Sequence, residues 1–337
     1  METVYFLGVD IAKKTFDASL TLDAKAFDAS HCENNAKSID TFFRDLKIKF
    51  GFSYDQLIIC MEHTGVYCLH LLNFLVKNRI KVCVESALQI KRSQGLVRGK
   101  NDKVDAQRIA TYAYKNREHL VFWKPQRPII QKIKALLVTR DRLVAAKTML
   151  LVPIQECEEF IEKSIHDSLA KSCHRSVKAL RDEIKRIEKS IGELVEKDDS
   201  VRKQAHLAKS VVGIGDITAL NMIVSTGEFV RINKPKRFAC YSGVAPFEHS
   251  SGSSVRGKTR VSKMANVSIK KLLTMGARSA ILYDPELKAY AERKLAEGKH
   301  YFNVINAVRN KLITRVFACV TGNREYQKKY AIALPKP

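Results

Sequence analysis

The first third of the chain alternates short apolar runs with polar or amphipathic stretches. Val4–Val9 is a run of strand length, closed by Asp10. Thr15–Leu20 predicts a second strand, joined to the first by a tight connection at Ala12-Lys13-Lys14. Ile39, Phe42, Phe43 and Leu46 share one face of a predicted helix, with Ser38 as its cap. Leu57–Met61 is a third run, ended by Glu62. A helix is expected from about Thr64, carrying Val66, Leu69, Leu72, Phe74 and Leu75, and Ile80–Val84 alternates as a short strand does. Strands interleaved with helices predict a mixed or parallel sheet covered by helices, so residues 1–125 read as an α/β domain.

The period then changes. Cys173, Val177, Leu180, Ile184, Ile187, Ile191 and Leu194 recur at steps of three and four among charged residues, and Val201 continues the row. That is a heptad seam. Residues 126–206 therefore read as a helical coiled-coil region, serving either as a hairpin on its own domain or as a dimerisation arm. An earlier helix, Ile133 to Met149, should end or kink at Pro153. Residues 207–325 predict a mainly helical domain, with 326–337 as a tail. Within it, Gly213-Ile214-Gly215 precedes an apolar helix, Ile217–Ser225; this is a plain turn or a phosphate-binding helix start. Pro246 to Lys263 predicts a polar loop rich in serine and glycine.

Charge narrows the partners. Lys and Arg number 59 against 35 Asp and Glu, a formal net charge of +24 over 337 residues. A polyphosphate partner is the simplest reason, because binding releases its counterions. An anionic membrane ranks lower, since the basic residues are spread along the chain. No apolar run reaches the length of a membrane helix, and no secretory signal is visible at Met1-Glu2-Thr3. The eight cysteines show no CxxC spacing, which fits reduced thiols in a cytosol and argues against a thiolate zinc site.

Four acids carry the candidate chemistry. Asp10 and Glu62 each end an apolar strand, and Asp102 and Asp105 lie on one face at the start of a helix. Singly, each has a bland explanation as a strand-end surface acid or a helix-dipole acid. Together, in a basic chain, they have the strand, strand, helix layout of a two-metal phosphoryl-transfer site. Such a site holds two ions a few ångström apart through hard oxygen ligands. Lys91, Arg92, Arg98, Lys100 and Lys103 flank the last pair, as a site that grips a phosphodiester would require.

Three segments, Gly8-Val9-Asp10-Ile11-Ala12-Lys13, Met61 through Tyr67, and Gly99-Lys100-Asn101-Asp102-Lys103-Val104-Asp105-Ala106, resemble the DEDD-type transposases of the insertion-sequence one-ten family, the group of the Piv invertase. The resemblance continues through Tyr241-Ser242-Gly243-Val244-Ala245-Pro246, His249-Ser250-Ser251-Gly252 and Ser262-Lys263-Met264-Ala265-Asn266, where the family's usual glycine before Asn is alanine. It implies an RNase H-like (RuvC-like) N-terminal domain with Asp10, Glu62, Asp102 and Asp105 as metal tetrad. Mg²⁺ would be the ion, two per site, with Mn²⁺ as the alternative. It further implies a coiled-coil dimerisation element and a mainly α C-terminal transposase domain with a nucleophilic serine. That serine maps to Ser251, with Ser250 as close competitor and Ser253 and Ser254 behind; without the resemblance the segment reads as a flexible linker. Arg256, Lys258, Arg260 and Lys263 would sit beside the phosphate.

The implied function is a mobile element's DNA recombinase, acting on donor and target DNA under a structured guide RNA, the bridge RNA. It would be a homodimer at least, with a tetramer as the next size, and bacterial, cytoplasmic and nucleoid-associated. Two alternatives remain: a RuvC-like junction-cleaving nuclease that uses water, and a non-catalytic nucleic-acid-binding scaffold.

Overall fold

A computed structural model describes residues 3–93, 102–251, 255–261 and 264–327; the side chains of 102, 103, 247–251 and 255–260 also lie outside what it describes. The chain forms two compact units, residues 1–125 and 126–337.

The first unit is built on five strands: β1 (Tyr5–Ile11), β2 (Thr15–Thr21), β3 (Asp28–Glu33), β4 (Leu57–Glu62) and β5 (Lys81–Glu85). Their order is β3-β2-β1-β4-β5. The first three make an antiparallel meander, and β4 and β5 add in parallel on the other side of β1. Among the described residues four α-helices accompany them: α1 (Ala36–Phe50), α2 (Leu69–Lys77), α3 (Ala87–Ser93) and α4 (Asp102–Lys115). Because side chains alternate along a strand, β1 serves two cores. Leu7, Val9 and Ile11 join Phe43 of α1 and Leu71 of α2. Phe6 joins Ile109, Tyr112 and Ala113 of α4 on the opposite face.

The reading missed β3, whose acids and histidine hide the alternation. Helix α1 starts earlier than Ser38: Asn35 is the cap, and its side chain accepts from Ser38 N–H. Asparagine is as good a cap as serine.

The second unit opens with two long helices, α5 (Pro128–Cys157) and α6 (Lys163–Glu196). They pack antiparallel, as the Arg140–Glu188 pair at 2.7 Å near the middle and the Arg127–Asp198 pair at the base require. Pro153 sits inside α5 without ending it. Proline lacks the N–H that would donate to the carbonyl of Met149, and the helix nonetheless runs on for one more turn to Cys157. The apolar row of α6 buries Val177, Ile184, Ile187 and Ile191. Its lower part packs on Ile130, Ile133 and Leu137 of α5. Val201 does not continue α6: Asp198 breaks the row and caps α7 (Asp199–Lys209), accepting from Val201 N–H at 3.0 Å.

The remaining elements are α8 (Asp216–Thr226), α9 (Pro235–Tyr241), β6 (Pro246–Ser251), β7 (Val255–Val261), α10 (Val267–Tyr283), α11 (Pro285–Ala296) and α12 (Tyr301–Thr321). The expected polar loop is in fact a hairpin of β6 and β7, with a register irregularity between Phe247 and His249. Its serines and basic residues mask the strand pattern. Gly213 has a different use from phosphate binding. At φ +93°, it meets α10 so closely that a Cβ would lie 2.4 Å from Gly276 O. The Asp216 carboxylate in the first turn of α8 also disfavours an anion there. Among the described residues, no helix is long and apolar enough to cross a membrane.

Candidate active site

Asp10 and Glu62 stand side by side. The parallel register runs from Tyr5↔Leu57 to Val9↔Met61, so the next step sets Asp10 beside Glu62 on neighbouring strands. Such strands lie about 4.8 Å apart. Both acids fall on the face that Phe6 and Gly8 share, the face α4 covers.

Gly8 fixes how α4 approaches. A Cβ at that position would lie 2.2 Å from both Ala106 O and Ala110 N. The helix backbone therefore rests directly on the strand, a contact that any side chain would prevent. The later part of α4 points to the start of β1, since Ile109 and Tyr112 cluster with Phe6 and the Tyr114 ring meets Phe6 edge-on at 5.5 Å. Its first turn must then point to the end of β1, where Asp10 and Glu62 are. Asp105, one residue before Ala106, is half-buried there, and one of its oxygens accepts from Arg108 Nη1 at 2.7 Å. Asp102 begins the helix; its side chain lies outside the described residues.

Two further acids, missed in the sequence, extend this row. Glu85 ends β5 directly across from Glu62. Cys83 Sγ lies 3.5 Å from Glu85 Oε1, which puts Glu85 on the α4 face. Its signal was present all along: like Asp10 and Glu62, it is an acid closing a short apolar strand. Asp17 pairs with Asp10 from β2, and His31 pairs with Asp17 from β3. Asp17 Oδ1 and His31 Nδ1 are 3.0 Å apart. The same row thus reads His31, Asp17, Asp10, Glu62, Glu85 across all five strands.

Below the row lie Cys60 and Cys83. A hydrogen bond with Cys83 first, and burial second, push the Cys60 thiol far above the ordinary thiol range. The Tyr112 phenol of α4 is raised as well, by burial first and by the Glu85 charge second. The donor set at this sheet edge is therefore carboxylate oxygen, which suits a hard divalent cation. Among the described residues no three His, Cys, Asp or Glu side chains already converge at metal-binding distance.

The basic residues divide. Lys91 and Arg92 are exposed on α3. Lys103 is on α4 with its side chain outside the described residues. Arg98, Lys100 and Lys263 lie outside them altogether, as do Ser253 and Ser254. Ser251 ends β6 opposite Val255, and Ser250 pairs with Arg256. Lys258 and Arg260 are further along β7. The side chains of these hairpin residues are outside the described set, so the expected serine site is defined by backbone position alone.

These two regions fall in two regions of known similarity. Residues 7–157, which hold the four acids, match a DEDD-type transposase model. Residues 205–292, which hold the hairpin, match the "Transposase IS116/IS110/IS902 family". The chain belongs to the IS110-type transposases. It is 26% identical over 332 residues to the pilin gene-inverting protein of Moraxella bovis, covering 96% of this chain and 98% of that one. The pilin gene-inverting protein of Moraxella lacunata is similar to the same degree. The transposase for insertion sequence element IS1111A of Coxiella burnetii is 27% identical over 252 residues, 68% of each chain.

Proposed function

We propose that the chain cuts and rejoins DNA, as a recombinase that moves or inverts a DNA segment. The observation that carries this reading is the meeting of Asp10 and Glu62 at the end of two parallel strands with the first turn of α4, which Gly8 brings onto the sheet. The strand order and the position of the acids favour an RNase H-like, RuvC-like unit. Asp10, Glu62, Asp102 and Asp105 would hold the cations, Mg²⁺ in a pair, and Asp105 has lone pairs to give beyond its bond to Arg108. When bound, the ions supply Lewis-acid stabilisation of the phosphoryl oxygens.

The second unit supplies the attacking hydroxyl in this reading. The Ser251 oxygen bonds to the phosphorus of a DNA phosphodiester as the bond from phosphorus to the leaving deoxyribose oxygen breaks. The hydroxyl proton leaves to a base, and the leaving oxygen ends as a hydroxyl. The serine–DNA ester keeps the phosphodiester's energy, so a second hydroxyl can reverse the step on a new strand. Arg256, Lys258 and Arg260 of β7 balance charge on the phosphorane. Lys91, Arg92, Arg98, Lys100, Lys103 and Lys263 hold the strand backbone.

A structured guide RNA as the source of sequence choice, and work at the bacterial nucleoid, complete the reading. A homodimer is the expected minimum. Its support is the far end of the α5–α6 hairpin, where Met149, Phe160, Ile165 and Leu169 are exposed, Phe160 to 84%. Denaturing gels of the protein with labelled donor DNA and Mg²⁺ test the central step. We expect a covalent protein–DNA band that disappears in both Ser251→Ala and Asp10→Asn. Cleavage without such a band would favour the water-using nuclease. Neither cleavage nor band, with DNA still bound, would favour a scaffold.

A further inference from the structure

The second unit contains a group of cations that no acid pairs with among the described residues. Arg309 of α12 is only 8% exposed. Its Nη1 donates to Asn306 Oδ1 at 3.2 Å. Its Nε is buried and has no hydrogen-bond partner among the described residues. Lys270 of α10 is half-buried near it. Burial first, and the charge of Arg309 second, hold the Lys270 ammonium below lysine's ordinary value. Burial and then Arg278 act on Arg309 in the same direction. Arg278 itself is exposed at the rim. Among the described residues, no carboxylate pairs with any of the three. The acids at the other end of α12, Asp284 and Glu286, are committed to Arg315.

Stability alone does not ask for this arrangement. A desolvated guanidinium is normally paired, and neighbouring cations add repulsion. An unmet, buried donor among like charges fits an anion receptor. Guanidinium presents two parallel N–H groups to a phosphate, and an ammonium adds a point charge.

Position gives the anion its identity. The Asn306 amide donates to Val244 O at 2.8 Å. Val244 is two residues before β6, so the cluster lies at the foot of the hairpin. Ser251 is at the hairpin's other end, about 23 Å from Val244 at roughly 3.3 Å per residue. That is about seven base steps of duplex. We propose that Lys270 and Arg309 seat one backbone phosphate of the DNA strand on which the hairpin serine acts, a proposal that rests on the rejoining reading above.

The test uses the full chain and a labelled 30-base-pair duplex, with affinity measured across a salt series. Lys270→Gln and Arg309→Met should each weaken binding about tenfold. Each should also reduce the slope of log affinity against log salt by about 0.9, the value of one released phosphate contact. Lys189→Gln, an exposed lysine on α6, reports the loss from net charge alone. Arg309→Met should keep or raise the melting temperature, since it removes a desolvated charge; a structural arginine would lower it and leave the slope alone. Slopes equal to that of Lys189→Gln in both variants overturn the proposal. If Arg309→Met does not fold, Lys270→Gln decides in the same way. A slope change seen with RNA and not with DNA also overturns it. The rejoining reading fails separately: a changed slope with no covalent band would leave this seat standing without the serine step.

Discussion

Gly8→Ala puts the approach of α4 to the sheet under direct strain. The new methyl carbon would lie 2.2 Å from Ala106 O, 2.2 Å from Ala110 N and 2.9 Å from Ala110 Cα. Ordinary carbon–oxygen contacts are about 3.3 Å, so the helix must retreat by about 1 Å. All three atoms are backbone, and no rotamer change relieves them. Overpacking of this kind costs about 1–3 kcal/mol, and two simultaneous backbone contacts argue for the upper half of that range. In a unit this size the loss lowers the melting temperature by roughly 5–10 °C. The functional loss should be larger, because Asp105 adjoins Ala106 and a misplacement of about 1 Å can cost about 100-fold in rate. Calorimetry gives the first quantity and Mg²⁺-dependent cleavage of labelled donor DNA the second. Ala110→Gly as a second substitution should not rescue either, since the clash is with main chain. A Gly8→Ala protein that melts within about 1 °C of the parent and cleaves within about twofold would refute the close approach, and with it the placement of the first turn of α4 beside Asp10.

Two other substitutions test the second unit. Asp284 is 2% exposed, caps α11 through Leu287 N–H and pairs with Arg315 at 2.7 Å. Arg315→Met should strand that carboxylate and cost about 3 kcal/mol; chemical denaturation giving a loss below about 1 kcal/mol would mean that the cap alone satisfies it. Arg127 bridges Asp198 and Glu228. Its hydrogen bond first, and Val201 N–H second, hold the Asp198 carboxyl below its ordinary value. A depressed carboxyl stabilises the fold above its unfolded value near pH 4, and that stabilisation fades as pH falls through the lower folded value. Arg127→Met should therefore be less stable by about 1 kcal/mol at pH 7, discounted for solvent exposure, with the gap narrowing below about pH 4. Equal gaps at pH 7 and pH 3 in urea titrations would contradict that assignment.

Much of the fold is legible in the sequence, and what is not has physical causes. Buried strands and amphipathic helices write their period into the chain, so apolar spacing alone marks β1, β4, β5, α6 and α8. Strands whose partners are chosen by register are not written there. Strand β3 carries Asp28, His31 and Glu33, and its neighbour β2 supplies what its own sequence does not. The β6–β7 hairpin pairs polar strands, where no buried face enforces alternation. The α6 seam was read correctly as apolar, but whether it meets a second chain or α5 depends on the turn at 158–162, which carries no signal for that choice. Arg309 shows the same limit. As one of 59 basic residues it is indistinguishable in sequence, and only burial among other cations separates it.

The row of acids follows from topology as much as from motif. Strands β1, β4 and β5 run in parallel and end in step, so acids closing each of them fall on one line. Strand β2 runs the other way, so Asp17 joins that line from near its beginning. Two unit charges about 5 Å apart repel by roughly 3 kcal/mol at an effective dielectric of 20. Four such acids in line would strain the sheet edge unless cations offset them. His31 Nδ1 contacts Asp17 at one end of the row, and Arg108 pairs with Asp105 in the first turn of α4. A divalent ion beside Asp10 and Glu62, at the centre of the row, would offset charge on both sides. The proposed cation site follows from this edge of the sheet, to which the first turn of α4, set down there by Gly8, adds Asp105.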